Sequence, residues 1–258
     1  MGVTVCEVYP FCSMNDTIGF FSYRLATQLP SPLIVRESDR PRTAYCLNPH
    51  SFYIAEQTPD FKQALLQCDI LLPDGIGICQ SIAKYKQTQV QKIAGDDLHR
   101  RLLEELDRLP DARIFYLGSS DDTLNRIRTR LATEHPSLCV GTFAPPFADQ
   151  FSDEENQTMV DAIERFAPDV LLVGMTAPKQ ELWIDKHRAQ LHTPRLIAAI
   201  GAVFDYYSGT TPRAPQWAID LKVEWAYRLL QHPQKMWRRT FVSTPRYLQY
   251  VRQHHVEM

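Results

Sequence analysis

No apolar run in this sequence approaches the ~20 residues that a bilayer-spanning helix requires. No secretory leader is recognisable either, so any membrane contact is expected to be peripheral. The familiar catalytic signatures are missing: G-x-x-x-x-G-K-S/T, G-x-G-x-x-G after the first strand, G-x-S-x-G and H-E-x-x-H. "GIG" at 75–77 lacks the third glycine of a dinucleotide fingerprint. A nicotinamide-dependent oxidoreductase would need that fingerprint and its ribose-binding acid, and neither is in place. No D-x-D occurs, so a metal held by that common diphosphate-binding motif is not supported. The six cysteines (6, 12, 46, 68, 79 and 139) form no C-x-x-C pair and no zinc spacing. Several sit in apolar runs, the pattern of reduced, packed thiols in a cytosolic protein. His50, His99 and His187 lie in separate segments without ligand spacing. Neither a cofactor nor a metal site is expected, and no repeat or low-complexity segment is evident.

What is present is unevenly distributed. The 258 residues suffice for one large domain or a domain with an appendage, and for a substantial core. Net charge is −2, yet residues 213–258 hold eight Lys/Arg against three acids. That end is therefore +5 and residues 1–212 are −7, a polarity that directs the C-terminal part toward an anionic partner.

Along the chain, "MNDTIGFFSYRLATQ" fits a helix capped by Asn15 or Asp16, with Ile18, Phe21 and Leu25 on one face. A proline-punctuated connection follows. From Thr43 the pattern turns periodic. "TAYCLN", "CDILLPD", "ARIFYLG", "SLCVGTF", "PDVLLVG" and "PRLIAAIG" read as strands, and helical segments lie between them. Pro49 suits the first helical position, Ser152 opens a helix, and Leu98, Leu102 and Leu106 share a helical face. Strands alternating with helices predict an α/β fold, a mostly parallel sheet covered on both faces. Ligands then sit beyond the carboxyl ends of strands, where the loops holding Asn48, Asp74, Gly118, Gly174 and Gly201 should converge.

Four of those loops carry polar groups. Asp74 follows "ILLP", with Gly75 and Gly77 behind it to let another molecule approach. A carboxylate there can act as a general base or simply cap the next helix. Asn48 faces the same alternative. Lys179 and Gln180 open a helix whose free N–H groups favour an anion; otherwise they form a solvated first turn in which Glu181 answers the helix dipole. Asp205 is either a site group or a buried carboxylate held by neighbouring tyrosine hydroxyls. Asp96-Asp97 and Asp121-Asp122 read as helix caps.

The C-terminal segment alternates aromatics with cations. Trp217, Leu221, Trp225 and Leu229 form a stripe at fourfold spacing. Beyond Pro233, Met236, Trp237 and Phe241 are flanked by Lys235, Arg238 and Arg239. Aromatic and basic residues together suit an interfacial helix on anionic lipid, and arginines suit forked contacts to phosphate. A helix pair packed on its own domain, or a nucleic-acid-binding module, are the alternatives.

"LLPDGIGI", "IAGDDL", "GTFAPPF", "GMTAPKQELW", "GAVFDYYSGTTPRAP" and "VEWAYRLLQHPQKMWRR", in this order, resemble the WecG/TagA/CpsF glycosyltransferases over roughly Thr43 to Arg239. The resemblance implies a Rossmann-like catalytic core, residues 1–211 with 1–42 poorly defined, and a helical membrane-associating appendage over 212–258. It implies inverting, metal-independent transfer from a UDP-sugar donor to a polyprenyl-diphosphate-linked saccharide in surface-polysaccharide synthesis. The enzyme would be cytoplasmic and peripheral on the inner membrane face. Asp74 matches the catalytic base, and Asn48 and Gln180 match polar pocket residues. Arg228, Lys235 and Arg238 fall in the appendage that closes over the donor diphosphate and meets an anionic membrane surface. With Gly75, Gly118, Gly174, Lys179, Asp205 and Arg213 they complete the expected substrate-binding set. No nucleic-acid partner is implied, and a homo-oligomer is compatible with the sequence. Cys46 stands where relatives commonly have Thr, Met175 where a small or apolar residue is common, and Lys222-Val223 where Gly-Leu is usual. These departures border the donor pocket or the hinge to the C-terminal segment, and leave N-acetylmannosamine-type and glucose- or glucuronate-type donors both open.

Overall fold

Runs that are apolar at every position, such as Ile70–Pro73 and Val170–Gly174, need cover on both faces and suit the interior of a parallel sheet. The computed structural model, which describes residues 16–35, 39–212, 215, 224–231 and 233–257, builds that sheet. Its strands are β3 (Arg42–Leu47), β4 (Ile70–Pro73), β5 (Arg113–Gly118), β6 (Cys139–Phe143), β7 (Val170–Gly174) and β8 (Leu196–Ala199). They lie in the order β4-β3-β8-β7-β5-β6, and every pairing is parallel. All carboxyl ends therefore meet at one edge of the sheet.

The helices are α1 (Pro49–Ala55), α2 (Pro59–Gln67), α3 (Ile76–Lys86), α4 (Gly95–Leu106), α5 (Asp121–Glu134), α6 (Asp153–Phe166), α7 (Lys179–His187) and α8 (Val203–Tyr207). The period-2 alternation of strand side chains divides the core into two layers. Tyr45, Leu71, Phe115, Leu171 and Ile197 point to one face, where they meet α1, α2, α6 and α7 through Phe52, Phe61, Met159 and Ile184. Ala44, Leu72, Tyr116, Leu172 and Ala198 point to the other, against α4, α5 and α8. Leu98, Leu102 and Leu106 are all buried, as their spacing predicts. Local capping agrees with the sequence: Ser152 closes a capping box with Glu155, and Asp97 accepts the Ala94 N–H at 2.9 Å. At Asp121-Asp122 the cap is instead the preceding Ser120.

The helix expected from Asn15 or Asp16 onward is a β-hairpin, with β1 (Thr17–Phe20) antiparallel to β2 (Tyr23–Ala26). Ile18, Phe21 and Leu25 satisfy a helical spacing, but Phe20, Tyr23 and Leu25 are the buried residues. Phe21 turns the chain with φ 52°. Tertiary packing decides the outcome. The rings of Phe20 and Tyr23 each sit 5.7 Å from that of Phe52, and the Tyr23 hydroxyl donates to Glu56 Oε1 at 2.8 Å.

The C-terminal region supplies α9 (Glu224–Gln231), α10 (Pro233–Arg238), a π-helical turn (Arg239–Ser243) and α11 (Thr244–His254). Helix α11 docks on the hairpin side of the core. Tyr247 is fully buried, lies 5.3 Å from the Phe52 ring, and donates to Ser81 Oγ at 2.8 Å. Trp217 and Leu221 of the expected apolar stripe lie outside the described residues. No described helix is long and apolar enough to cross a membrane. Cys46, Cys68, Cys79 and Cys139 are free thiols; Cys79 is buried, whereas Cys139 is exposed on the edge strand.

Candidate active site at the carboxyl edge of the sheet

Sheet order brings the predicted loops together. Read across the edge, the strand ends carry Asp74 (after β4), Asn48 (after β3), Gly201 (after β8), Gly174 (end of β7) and Gly118 (end of β5). The β4 end is tied down by backbone bonds. Asp74 N–H lies 2.9 Å from the carbonyls of both Leu47 and Leu72, and Ile93 N–H donates to Pro73 O at 3.1 Å. Asp74 is not the N-cap residue of α3. The N-cap position belongs to Gly75, in the left-handed region at φ 119°. A Cβ at Gly75 would lie 3.2 Å from Pro49 Cδ, so the Asp74 loop rests on the start of α1.

Asn48 does act as a helix cap. Its Oδ1 accepts from His50 N–H at 3.1 Å and Ser51 N–H at 3.0 Å, while its own N–H donates to Ser51 Oγ at 2.8 Å. Such a cap typically contributes about 1 kcal/mol. It also fixes the side chain so that the Nδ2 amide is the group left to meet a ligand.

At the start of α7, Lys179 and Gln180 diverge. The Lys179 ammonium donates to the Ala148 carbonyl and lies 3.6 Å from the centre of the Phe151 ring, holding the loop after β6. Gln180 turns inward, is buried, and donates from Nε2 to Glu181 Oε1 at 2.8 Å. Gln180 Oε1 and Glu181 Oε2 are buried without a hydrogen-bond partner. Each such group costs about 1–3 kcal/mol relative to a satisfied one, so two adjacent ones call for an explanation. Burial raises the Glu181 carboxyl to about 7, opposed by the Gln180 hydrogen bond, its own backbone N–H and Arg239. Next to it, the Cys46 thiol is held well above the usual thiol range by burial, then by the charges of Asp74 and Glu181. Asp74, Cys46 and Glu181 thus share one electrostatic neighbourhood.

Gly118 and Gly174 serve close packing of the strand ends. At φ 122°, a Cβ on Gly118 would lie 2.5 Å from Gly174 O, and the Phe204 ring covers Gly174. Asp205 is half-buried on α8, and its carbonyl accepts from Thr211 N–H at 3.0 Å. The Tyr207 hydroxyl donates to Glu134 Oε2 at 2.8 Å, not to Asp205.

Positive charge arrives from the C-terminal helices. His50, two residues beyond Asn48, holds Ser243 Oγ at 2.8 Å from its Nδ1. Its pKa falls to about 4 through burial, then through the nearby charges of Arg239 and Arg238. The turn that begins at Arg239 therefore lies against the start of α1, beside Asn48. Arg238 itself is exposed. Arg213 and the side chains of Arg228 and Lys235 lie outside what the structure describes. Among the described residues, no three His, Cys, Asp or Glu side chains gather as metal ligands.

Three residues here escaped the sequence reading of the site. Glu181 reads as an ordinary first-turn acid, and only the fold reveals its burial. Arg239 is one cation among many, and His50 meets Ser243 across 193 positions of sequence.

An all-parallel sheet with polar loops gathered at its carboxyl edge defines an α/β protein, a class in which ligands generally bind at that edge. A sequence model of the "Glycosyl transferase WecG/TagA/CpsF family" matches residues 28–257. An N-acetylglucosaminyldiphosphoundecaprenol N-acetyl-beta-D-mannosaminyltransferase of Bacillus spizizenii (strain ATCC 23059 / NRRL B-14472 / W23) is 30% identical over 207 residues, covering 80% of this chain and 77% of that protein. A protein of the same description from Bacillus subtilis (strain 168) is 28% identical over 201 residues, covering 78% and 75%. The chain belongs to the WecG/TagA/CpsF family and is a glycosyltransferase.

Proposed function

We propose that the protein transfers a sugar from a UDP-sugar to a polyprenyl-diphosphate-linked saccharide, with inversion and with Asp74 as general base. The observation that carries this reading is the placement of Asp74. It stands at the carboxyl edge, fixed by two backbone bonds and beside Asn48, and the N-cap position of the helix behind it belongs to Gly75. Asp74 would take the proton from the acceptor hydroxyl as that oxygen attacks the anomeric carbon and the bond to UDP breaks. Both Bacillus relatives are named for a diphosphoundecaprenol-linked N-acetylglucosamine acceptor and an N-acetylmannosaminyl group, which supports a lipid-linked acceptor here.

UDP leaves with developing negative charge. Arg238 and Arg239, whose fields reach His50 at the start of α1, would offset it. Arg213, Arg228 and Lys235 would join them, a contribution that rests on the resemblance alone. Asn48 Nδ2 and Gln180 would orient the donor, with Gly75 and Asp205 on the loops around it. Neutral Cys46 borders the pocket where relatives commonly carry a hydroxyl, so the donor sugar is open between the N-acetylmannosamine and glucose or glucuronate types. The exposed aromatics of the C-terminal helices would lie on the membrane surface that holds the acceptor. Core and appendage would then be separate working parts, with the division near residue 212.

The test is UDP release from a panel of UDP-sugars, with and without a short-chain prenyl-diphosphate-linked sugar, in EDTA and with added divalent metal. Acceptor-dependent release from one donor in EDTA is the expected result. Release that needs metal would overturn metal independence. No release from any donor would overturn the reading and return the chain to the nucleotide- or nucleic-acid-binding alternative.

A further inference from the structure

The Gln180–Glu181 pair carries more than the reading above uses. A glutamine amide can present either end to a ligand, because rotation by half a turn exchanges donor for acceptor at little covalent cost. Unanchored, it discriminates poorly between ligand groups of opposite polarity. Here it is anchored. Nε2 donates to Glu181 Oε1 at 2.8 Å, and both side chains are at least nine-tenths buried, at 5% and 2% exposure. A carboxyl oxygen that carries no proton can only accept, so the nitrogen faces Glu181 and the oxygen faces away. A neutral Glu181 can also donate to a flipped amide, so the lock belongs to the carboxylate form.

The oxygen's position is also defined. A Cβ at Gly201, where φ is 32°, would lie 3.2 Å from Gln180 Oε1 and 3.3 Å from the Met175 carbonyl. The oxygen therefore abuts the turn after β8 and has no partner there. Around Glu181, the groups near enough to feel its charge are Tyr45 and Cys46 of β3, Cys68 beyond α2, and Arg239 of the C-terminal turn. None of them bonds Glu181 Oε2.

We propose that Glu181 is a positioning residue that locks Gln180 as a hydrogen-bond acceptor at the Gly201 turn, so that the bound donor must present a hydroxyl or N–H there. This rests on the UDP-sugar reading. Two parts of such a donor carry suitable groups: the uracil N–H and the sugar hydroxyls or acetamido N–H. The role is specific to Glu181 acting through Gln180, and it adds discrimination against ligands that offer only an acceptor at this point.

Binding of UDP and of the UDP-sugar panel to the full-length protein tests this by calorimetry, with melting curves as the fold control. Glu181→Met removes the anchor and keeps side-chain volume; Glu181→Gln keeps an accepting oxygen. The expected results are about tenfold weaker binding for Glu181→Met and for Gln180→Ala, with the Gln180→Ala/Glu181→Met double variant no weaker than Gln180→Ala alone. Because its amide can donate as well as accept, Glu181→Gln no longer fixes the orientation and should fall between the unaltered protein and Glu181→Met. Equal losses for UDP and UDP-sugar place the ligand's donor group on uracil; a loss confined to UDP-sugar places it on the sugar. Additive losses in the double variant, or unchanged binding by a folded Glu181→Met, overturn the proposal while leaving the transferase reading intact. Absence of UDP-sugar binding by the unaltered protein overturns both.

Discussion

On the sheet, Leu117, Leu171 and Ile197 lose all contact with water, whereas on the C-terminal helices Trp225, Leu230 and Phe241 keep half or more of theirs. The strands are the richer of the two in apolar residues, and the arrangement differs as well. Sheet positions alternate between two closed layers, each finished by helices from both directions. Among the described residues of the C-terminal region, buried apolar side chains lie on α11 alone, through Tyr247 and Val251 against α1 and α3. Helices α9 and α10 and the turn after them keep large apolar side chains outside, interleaved with arginines. Apolar surface in the first region holds the fold together; in the second much of it stays exposed.

This contrast can be broken at its strong side first. Leu102→Ala empties a fully buried position on α4, under the face opposite the C-terminal helices. A loss of about 2–5 kcal/mol in denaturant unfolding is expected, with UDP binding retained below the transition. Next, Arg238→Ala combined with Arg239→Ala removes the charges that reach His50. Transfer should fall by at least about tenfold, or ~1.4 kcal/mol in transition-state stabilisation, while the melting temperature stays nearly constant. Normal transfer in that variant would make the cations a feature of packing alone. Smallest in stability terms is Trp225→Ala with Trp237→Ala, two half-exposed rings. Unfolding free energy should move by no more than about 0.5 kcal/mol, yet sedimentation with anionic phospholipid vesicles should weaken. Clear destabilisation instead would mean that these rings pack within the protein.

Most of the fold was legible because it rests on local periodicity. The six strands of the parallel sheet and the helices between them are visible as apolar runs and 3.6-residue stripes, and caps such as Ser152 mark their starts. The amino-terminal hairpin was not, because "TIGFFSYRLA" satisfies both helical and strand spacing; contacts with Phe52 and Tyr250, far along the chain, select the strand. At the site, Asp74, Asn48 and Gln180 could be picked out as polar residues at strand ends or helix starts. What each does locally could not. That Asn48 is an N-cap residue while Asp74 is not depends on the geometry at Gly75, and Lys179 turns to a loop carbonyl supplied from 31 residues away. The burial of Glu181 depends on which side of α7 meets β8 and α2, a property of the assembled layers and not of the heptapeptide around it.

Single-turnover transfer by Asp74→Asn addresses the reading most directly, using the donor and lipid-linked acceptor that the unaltered protein accepts. With Asp74 as the base, transfer should drop by about 10²–10⁴-fold, with donor binding and melting temperature unchanged. Turnover at the normal rate in a folded Asp74→Asn protein would contradict it, and would move the search for the base to another group on the same edge of the sheet.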